Sequence, residues 1–196
     1  TKGDFTYMLD LGANSTCTAE QLYQFALMGN VVAREIKGIP SPKIALLNIG
    51  EEEIKGHEMI KEASILLEQS SINYVGYVEG NDIVENKADV IVTDGFTGNI
   101  AIKAMEGTIE LMTSVLKDSI RNGSSDDSAF DGSRFALDIF KNSIDPRKHN
   151  GALLVGLNGI VVKSHGSSDS YGHYHAILTA VNEVKKQIIP KLTEIF

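Results

Sequence analysis

Short apolar runs alternate along this chain with longer stretches in which apolar residues recur every three or four positions. The short runs, at residues 5–10, 43–48, 73–78 and 89–93, are typical of buried strands, and the longer stretches are typical of helices. Because strands and helices alternate, their order predicts βαβ units and a largely parallel sheet. We therefore expect a doubly wound α/β fold, with residues 1–196 forming a single α/β domain.

Residues that cap or break helices mark the ends of the predicted helices. Thr18 is a favourable N-cap for the first helix, and Gly38 and Pro40 end it. A last helix begins at about Tyr174 and is weakened by Pro190. Two further helices are predicted, one through Met59, Ala63, Leu66 and Leu67 and a long one that begins near Ile100.

Between the long helix and the last helix, the pattern predicts a loop, an amphipathic helix and a β-hairpin. Turn-forming residues fill 122–132, which we expect to be a mobile, exposed loop. Residues 134–148 place apolar side chains on one helix face, so 122–148 should form a mobile loop plus an amphipathic helix. Asn-Gly between two strand-like runs is the strongest short hairpin signal, and it predicts a β-hairpin near residues 152–163.

Composition and charge narrow the classes of function. A formal net charge of −8 argues against nucleic-acid binding, which needs a clustered basic surface. The single cysteine, Cys17, cannot form an intrachain disulfide and is expected to be a small packing residue, which favours a cytoplasmic location. No apolar run approaches the roughly 18 residues of a spanning helix, so we do not expect an integral membrane protein. Because the chain begins with Thr1 and enters a strand-like run almost at once, we expect it to be part of a longer protein.

Polar turns follow three of the predicted strands. The segment Asp-Gly-Phe-Thr-Gly-Asn at residues 94–99 lies between a strand and a helix, where backbone N–H groups and the positive helix end suit a phosphate or an oxyanion. The other two turns lie at residues 48–52 and 164–169. Because the carboxyl ends of strands in an open α/β sheet meet at one edge, we expect the three turns to form one site. The alternative is that the glycines serve only to reverse the direction of the chain.

These turns, taken in order, resemble the motifs of the PlsX family of phosphate acyltransferases. The resemblance rests on the segment at residues 94–99 and on Lys-Ser-His-Gly at residues 163–166. The chain departs from the family pattern at residues 150–153, where a glycine pair and a proline are expected, and at residues 171–175. Further matching blocks are Asp-Leu-Gly-Ala-Asn at 10–14, Gln-Phe-Ala-Leu-Met-Gly at 24–29, Leu-Asn-Ile-Gly-Glu-Glu with Lys-Gly at 47–56, Val-Glu-Gly at 78–80 and Gly-Leu-Asn-Gly at 156–159.

The resemblance implies transfer of a long fatty acyl group from acyl carrier protein to inorganic phosphate, in fatty acid and phospholipid biosynthesis. It implies a fold of the isocitrate/isopropylmalate dehydrogenase-like type, with this chain as the carboxyl-terminal part of the enzyme. It also implies a homodimer that associates peripherally with the membrane, with glycerol-3-phosphate acyltransferase as a further partner. Phosphate is itself a nucleophile near neutral pH, so we expect neither a cofactor nor a metal.

Three residues are candidates for catalysis. We expect Asn99, with the N–H groups of the turn before it, to stabilise the tetrahedral oxyanion or to hold phosphate, unless its side chain simply caps the helix. Lys55 can neutralise phosphate or the departing thiolate, and the alternative is a surface lysine paired with the glutamates at 51–53. His165 can donate to phosphate or shuttle a proton, and the alternative is a loop histidine satisfied by the backbone.

Other residues complete the predicted site. Asp94 is acidic, so we expect it to orient Lys55 or backbone donors and not to bind phosphate directly. In the amphipathic helix, Phe135, Ile139 and Phe140 are candidates for membrane contact, although core packing is the usual explanation for such a stripe. The predicted phosphate or substrate contacts are Asn14, Asn48, Gly50, Asp94, Gly95, Thr97, Gly98, Asn158, Lys163, Ser164 and Gly166.

Two other functions stay open at this point. A short-chain phosphate acyltransferase acting on acetyl- or butyryl-coenzyme A would carry out the same reaction with a different acyl donor. A scaffold recruited to the membrane would bind carrier protein or a partner acyltransferase without turnover. A dehydrogenase is less well supported, because no G-x-G-x-x-G segment follows a strand.

Overall fold

A computed structural model of the chain describes residues 5–123 and 127–195, and for residues 123 and 127–134 it describes the backbone alone. A four-stranded sheet forms the centre of the fold, and every pair of neighbouring strands in it is parallel. This pairing confirms the predicted parallel sheet. Its strands are β1 (Tyr7–Leu9), β2 (Ile44–Leu47), β3 (Tyr74–Val78) and β4 (Val90–Val92), in the order β1-β4-β2-β3.

The first helix begins where its N-cap predicts. The Thr18 hydroxyl accepts the Gln21 N–H, and the Gln21 side chain accepts the Thr18 N–H, so both partners of a capping box are present. A π-helical turn, Ala33–Lys37, continues this helix up to Gly38, as predicted. The helices are α1 (Ala19–Val32), α2 (Glu58–Glu68), α3 (Gly95–Gly123), α4 (Asp127–Ser143), α5 (Ser170–Lys185) and α6 (Ile188–Thr193).

Both faces of the sheet are covered by helices, which is the arrangement of a doubly wound fold. Alternate side chains of a strand point to opposite faces, so a strand buried on both sides is apolar along its whole length. On one face, Ile44, Leu46, Val90 and Val92 pack with residues of α1 and α2, and on the other, Ala45, Leu47 and Ile91 pack with Ala101 and Met105 of α3.

The long helix α3 begins at Gly95, five residues before its predicted start. The segment at 94–99 is therefore mostly the first turn of the helix and not a loop before it. The prediction treated its glycines as loop signals, but Asp94 supplies a cap: its side chain accepts the Thr97 N–H at 2.8 Å.

The loop predicted at residues 122–132 is wrong over most of its length. Residues 122 and 123 belong to α3, and α4 begins at Asp127. An acidic residue at a helix start is favoured by the helix dipole, and turn-forming composition is only a weak indication of a loop. Residues 124–126 lie outside the described part of the chain, and the predicted mobility of this stretch stays a prediction.

The predicted β-hairpin is confirmed, with shorter strands. Its strands β5 (Ala152–Leu153) and β6 (Val162–Lys163) pair antiparallel in a separate two-stranded sheet. One further backbone bond, from Leu154 N–H to Val161 O at 2.9 Å, extends the pairing. A 3-10 helix, Pro146–His149, precedes the hairpin, and another, Gly80–Val84, follows β3.

The last helical region is divided in two. The helix α5 begins at Ser170, four residues before the predicted start, because the Asp169 side chain caps it by accepting the Gly172 N–H at 2.9 Å. Gln187, with φ of 54°, separates α5 from α6. Pro190 lies in the first turn of α6, where its missing N–H removes no helical hydrogen bond. The prediction placed the weak point of the helix at Pro190, but the break lies at Gln187, and α6 continues past Pro190 to Thr193.

Candidate active site

The carboxyl ends of β1, β4 and β2 lie side by side at one edge of the sheet, because these strands are neighbours. Asp10, Thr93 and Asn48 are the first residues after the three strands. Asp10 N–H donates to Thr93 O at 2.8 Å, so the pairing of β1 with β4 continues into the turns. The structure thus places the predicted polar turns at 48–52 and 94–99 on the same edge.

Asp10 organises the turn that follows β1. Its buried carboxylate accepts the backbone N–H groups of Gly12, Ala13 and Asn14 and the Asn14 side-chain amide, at 2.7–2.9 Å. Burial raises the pKa of Asp10, but the hydrogen bonds from Ala13, Asn14 and Gly12 outweigh burial and hold the pKa below its ordinary value. The turn at 10–14 is therefore a fixed support, and Asn14 is part of it.

Most of the backbone donors at the start of α3 already have acceptors. Gly95 N–H donates to Asn14 O at 2.8 Å, Thr97 N–H to the Asp94 carboxylate at 2.8 Å, and Gly98 N–H to Asp94 O at 2.9 Å. The Thr97 hydroxyl also donates to Asp94, at 2.8 Å. Three of the first four N–H groups of the helix are thus engaged. An anion at this turn would be bound chiefly by side chains.

Asn99 is exposed at the sheet edge, next to the turn that Asp10 organises. It lies inside α3, so it does not cap the helix, and this alternative is wrong because Asp94 has that role. A β-carbon on Gly98 would lie 1.9 Å from Asp10 O, so only glycine lets the helix approach this turn so closely. The close approach holds the Asn99 side chain beside Gly12. A β-carbon added to Gly12 would lie 3.7 Å from Asn99 Oδ1.

The turn after β2 is folded back on itself. Asn48 is buried, and its side chain accepts the Ile49 N–H at 2.9 Å and donates to Lys55 O at 3.1 Å. The Lys55 side chain lies over Gly50 and pairs with Glu52 at 2.8 Å. The hydrogen bond to Glu52 raises the pKa of Lys55 above its ordinary value. The surface ion pair of the alternative interpretation is therefore present, and Glu52 competes with phosphate for Lys55.

Lys87 ties the turn after β2 to the turn after β3. Its ammonium group contacts the buried Asp82 at 2.8 Å and Glu51 at 2.9 Å, and the hydrogen bond to Asp82 raises the pKa of Lys87. The groove beside β3 contains this lysine together with Glu53 and Glu68. Its acidic lining makes it unsuited to phosphate, so the better anion site is the edge near Asn99 and Lys55.

The third predicted turn, at 164–169, does not lie at this edge, and the expectation of one shared edge is wrong for it. It follows β6, which pairs with β5 in the separate hairpin. His165 Nε2 instead lies 4.0 Å from the carboxylate of Glu106 in α3. Glu106 is seven residues beyond Asn99, which corresponds to about 10 Å along the helix axis.

A polar face of α3 connects the sheet edge with the histidine turn. Asn99, Lys103 and Glu106 are spaced by four and three residues, so they lie on one side of the helix. Lys103 pairs with Glu106 at 2.7 Å, and Glu106 is the neighbour of His165. The candidate active site is therefore elongated, with amide and ammonium groups at the sheet edge and an imidazole at the other end.

Sequence comparisons identify the family of the chain. A sequence model of the family described as "Fatty acid synthesis protein" matches residues 1–191. Phosphate acyltransferase of Alkalilimnicola ehrlichii is 49% identical over 188 residues, which cover 96% of this chain and 55% of the relative. The chain belongs to the PlsX family. Phosphate acyltransferases of Nitrosococcus oceani and Legionella pneumophila are 50% and 48% identical, over 93% and 96% of this chain and 54% and 56% of their own lengths.

This PlsX-family chain spans about half the length of the curated relatives that it matches. The matches cover both ends of the elongated site, since they extend over more than nine-tenths of the chain. Within the chain, the predicted site residues fall into two groups. Asn14, Asn48, Gly50, Lys55, Asp94, Gly95, Thr97, Gly98 and Asn99 lie at or beside the sheet edge, whereas Asn158, Lys163, Ser164, His165 and Gly166 lie on or after the hairpin.

Sequence reasoning missed several residues that lie around this candidate site. Asp10 was part of a matching block, but nothing marked it as the acceptor of four hydrogen bonds. Lys103 and Glu106 were detectable by their helical spacing from Asn99. Lys87 had no local signal, because its two partners lie on different turns of the sheet edge.

The amphipathic helix α4 exposes part of its apolar face. Phe135 and Ile139 are 69% and 53% exposed, Phe140 is half-buried, and Leu137 on another side is buried. Phe135 and Ile139 are therefore not part of the core of the described residues, and membrane contact by these residues stays a prediction. In the described part of the chain, no helix is both long enough and apolar enough to cross a membrane. The same residues include no group of three His, Cys, Asp or Glu side chains arranged to hold a metal ion.

Proposed function

We propose that this chain carries the catalytic site of a phosphate acyltransferase that converts an acyl thioester of acyl carrier protein and inorganic phosphate into acyl-phosphate and free carrier protein. The observation that carries the proposal is that Asn99, near the start of α3, and Lys55, in the turn after β2, both lie beside one sheet edge. Relatives named phosphate acyltransferase that match more than nine-tenths of the chain support it. The isocitrate/isopropylmalate dehydrogenase-like type of the fold and a role in phospholipid biosynthesis belong to the same proposal.

In the proposed reaction, a phosphate oxygen attacks the thioester carbonyl carbon and a tetrahedral intermediate forms. The carbon–sulfur bond then breaks, the acyl group remains on phosphate, and the proton that phosphate loses passes through water to the carrier's departing thiolate. Asn99 donates its side-chain N–H to the developing oxyanion, which typically contributes about 3–4 kcal/mol of barrier lowering. Lys55 exchanges Glu52 for phosphate, so the exposed ion pair is the resting state of the phosphate site.

We place His165 at the acyl-carrier end of the site. Its Nδ1 atom lies 2.8 Å from the Ser167 hydroxyl and 3.3 Å from Ser167 N–H, and a backbone N–H can only donate, so Nδ1 is the acceptor. In the neutral ring, the proton is then on Nε2, whose carboxylate neighbour Glu106 is beyond hydrogen-bond distance at 4.0 Å. The Nε2 proton is proposed to bind the pantetheine arm, which is long enough to reach from there to Asn99.

The direct test is release of free thiol from palmitoyl-acyl carrier protein by this chain, with and without phosphate, while hydroxylamine traps the acyl-phosphate. Phosphate-dependent release with trapped product is the expected result. The same assay with acetyl- and butyryl-coenzyme A distinguishes the short-chain alternative, which predicts release from the coenzyme A esters alone. Binding of carrier protein by a folded sample without any release would contradict the proposal and favour the scaffold.

The exposed apolar surfaces support two further parts of the proposal. Contact with a membrane surface is proposed for α4, through Phe135 and Ile139. Flotation with anionic liposomes should be lost in the Phe135→Asp, Ile139→Asp double variant and kept in Asp138→Asn. Equal flotation of the unchanged chain and both variants would contradict membrane contact by α4.

Self-association as a homodimer is proposed for the outer faces of α3 and α5, and light scattering tests it. The apolar residues about half exposed on these two helices include Leu111, Met112, Val115, Tyr174, Ile177 and Val184.

A further inference from the structure

Asn150 forms the centre of a buried hydrogen-bond network beside the hairpin. Its side-chain amide nitrogen lies 2.8 Å from Ser164 Oγ, 2.9 Å from Ser168 Oγ and 2.8 Å from Gly172 O. Its amide oxygen accepts the His165 N–H at 3.0 Å. Only 9% of Asn150 is exposed. The three oxygen atoms share the two N–H donors of the amide, and the amide oxygen uses one of its two lone pairs, so both ends of the Asn150 side chain are engaged.

This network joins three segments that are distant in sequence. Asn150 ends the 3-10 helix before β5, Ser164 and Ser168 lie in the turn after β6, and Gly172 lies in the first turn of α5. A β-carbon on Gly172 would lie 2.3 Å from Ser168 Oγ, so a larger residue there would displace the Ser168 hydroxyl from Asn150.

An ion pair reinforces the same junction. Arg147, from the 3-10 helix, contacts Asp145 and the α5 cap Asp169, each at 2.8 Å. The hydrogen bonds from Arg147 hold the pKa of Asp145 low, at about 2, so this carboxylate stays charged at neutral pH. The exposed ion pairs act at the rim, whereas Asn150 is the buried contact to the turn itself.

The turn that Asn150 holds is the one that carries His165. The backbone of His165 is fixed by Asn150 Oδ1, and its ring is fixed by Ser167 through Nδ1. With both attachments in place, Nε2 is directed at Glu106 on the polar face of α3. The side chain of His165 is itself 53% exposed, so its orientation depends on these polar contacts and not on packing.

We propose that Asn150 is a positioning residue for His165: its buried amide holds the turn 164–168 against α5, and this contact directs the imidazole toward the polar face of α3. The inference rests on the proposed function, because it assigns Asn150 a role in that site. A side chain whose backbone is held in advance loses less freedom when substrate binds, which is the benefit that such a residue supplies.

The first test measures the turn without any assay of activity. Hydrogen-deuterium exchange of the segment 163–169 is compared in the unchanged chain, in Asn150→Ala and in Asn182→Ala, an exposed asparagine of α5. Exchange in this segment should be at least tenfold faster in Asn150→Ala and unchanged in Asn182→Ala. Equal exchange in all three proteins would overturn the proposal. If Asn150→Ala does not fold, Asn150→Asp keeps the side-chain shape but places an oxygen against Gly172 O, and it should show the same acceleration.

The second test asks whether Asn150 acts through His165. In the thiol-release assay, Asn150→Ala should lower kcat/KM for palmitoyl-acyl carrier protein at least tenfold and leave KM for phosphate within twofold. In a His165→Ala background, the same change should cost less than twofold. An equal loss in both backgrounds would show a general structural role and overturn the proposal. If the unchanged chain has no transfer activity, the proposed function fails, and the exchange measurement by itself still decides whether Asn150 holds the turn.

Discussion

The two ends of the candidate site are held in place by different kinds of interaction. At the sheet edge, Lys55 and Asn99 follow β2 and β4, whose side chains are almost completely excluded from solvent. At the hairpin end, each strand has two residues, and the turn with His165 is held by Asn150 and by ion pairs of Arg147. Apolar burial fixes the first end, whereas hydrogen bonds and charges fix the second. The two ends should therefore respond differently to substitutions and to pH.

The largest expected difference is in stability. Leu46 of β2 is 1% exposed, and replacing such a leucine by alanine typically costs about 3–5 kcal/mol. Leu153 of β5 is only half-buried, so Leu153→Ala should cost about 1–2 kcal/mol. Urea denaturation of both variants measures the free energy of unfolding, with the exposed Leu157→Ala as the control. An equal loss for Leu46 and Leu153 would contradict the distinction.

The second prediction concerns Asn99, the exposed amide beside the sheet edge. Asn99→Ala should lower kcat of phosphate-dependent thiol release by about 10²–10³-fold, because one preorganised oxyanion donor is lost. The melting temperature should stay within a few degrees of the unchanged protein. Asn122→Ala, at the far end of the same helix, is the matched control. Nearly full turnover by a folded Asn99→Ala protein would remove Asn99 from catalysis.

The third prediction uses a buried carboxyl group of α5, the helix that packs against the hairpin. Glu183 of α5 is 5% exposed, and its Oε2 atom has no hydrogen-bond partner among the described residues. Burial raises the pKa of Glu183 to about 7, from an ordinary value of 4.5. The folded state thus binds the proton more tightly than the unfolded state. Glu183 therefore costs no stability below pH 4.5, and its cost grows up to about pH 7 and is constant above it.

Replacing the Glu183 carboxyl group by an amide should remove this loss of stability. Glu183→Gln should be more stable than the unchanged chain by about 3 kcal/mol at pH 8 and about equal to it at pH 4.5, since each unit of pKa shift corresponds to about 1.4 kcal/mol. Thermal or urea unfolding at the two pH values measures the difference. Glu110→Gln on the exposed side of α3 should show no such dependence. A Glu183→Gln protein that is destabilised equally at both pH values would contradict the prediction.

The smallest expected effects concern the exposed ion pair at the sheet edge. Lys55→Ala should raise KM for phosphate about tenfold, because a charged hydrogen bond to phosphate is lost. Glu52→Gln should lower KM for phosphate by about twofold, because Lys55 no longer has to leave a carboxylate. Initial rates over a range of phosphate concentrations measure both. Opposite signs for the two variants support the exchange of Glu52 for phosphate, and an unchanged KM in Lys55→Ala would remove that lysine from the site.

Local patterns predicted the elements of the sheet better than those of the later half of the chain. Thr18 and Gln21 specify the start of α1 by themselves, and the apolar runs of β2 and β4 reflect burial on both faces. The start of α3 was misplaced because glycine is a loop signal in sequence. Gly98 is instead needed because α3 packs closely against Asp10, a residue 88 positions earlier in the chain.

For the site, the sequence by itself determined which residue types are present and which turns follow strands. It also determined the family resemblance, because the motifs stand in order along the chain. Only the tertiary structure decided which turns meet. Strand order places Asn99 and Lys55 at one edge, whereas the antiparallel pairing of β5 and β6 directs His165 to α3. Local periodicity predicts neither outcome, since each depends on contacts between segments far apart in the chain.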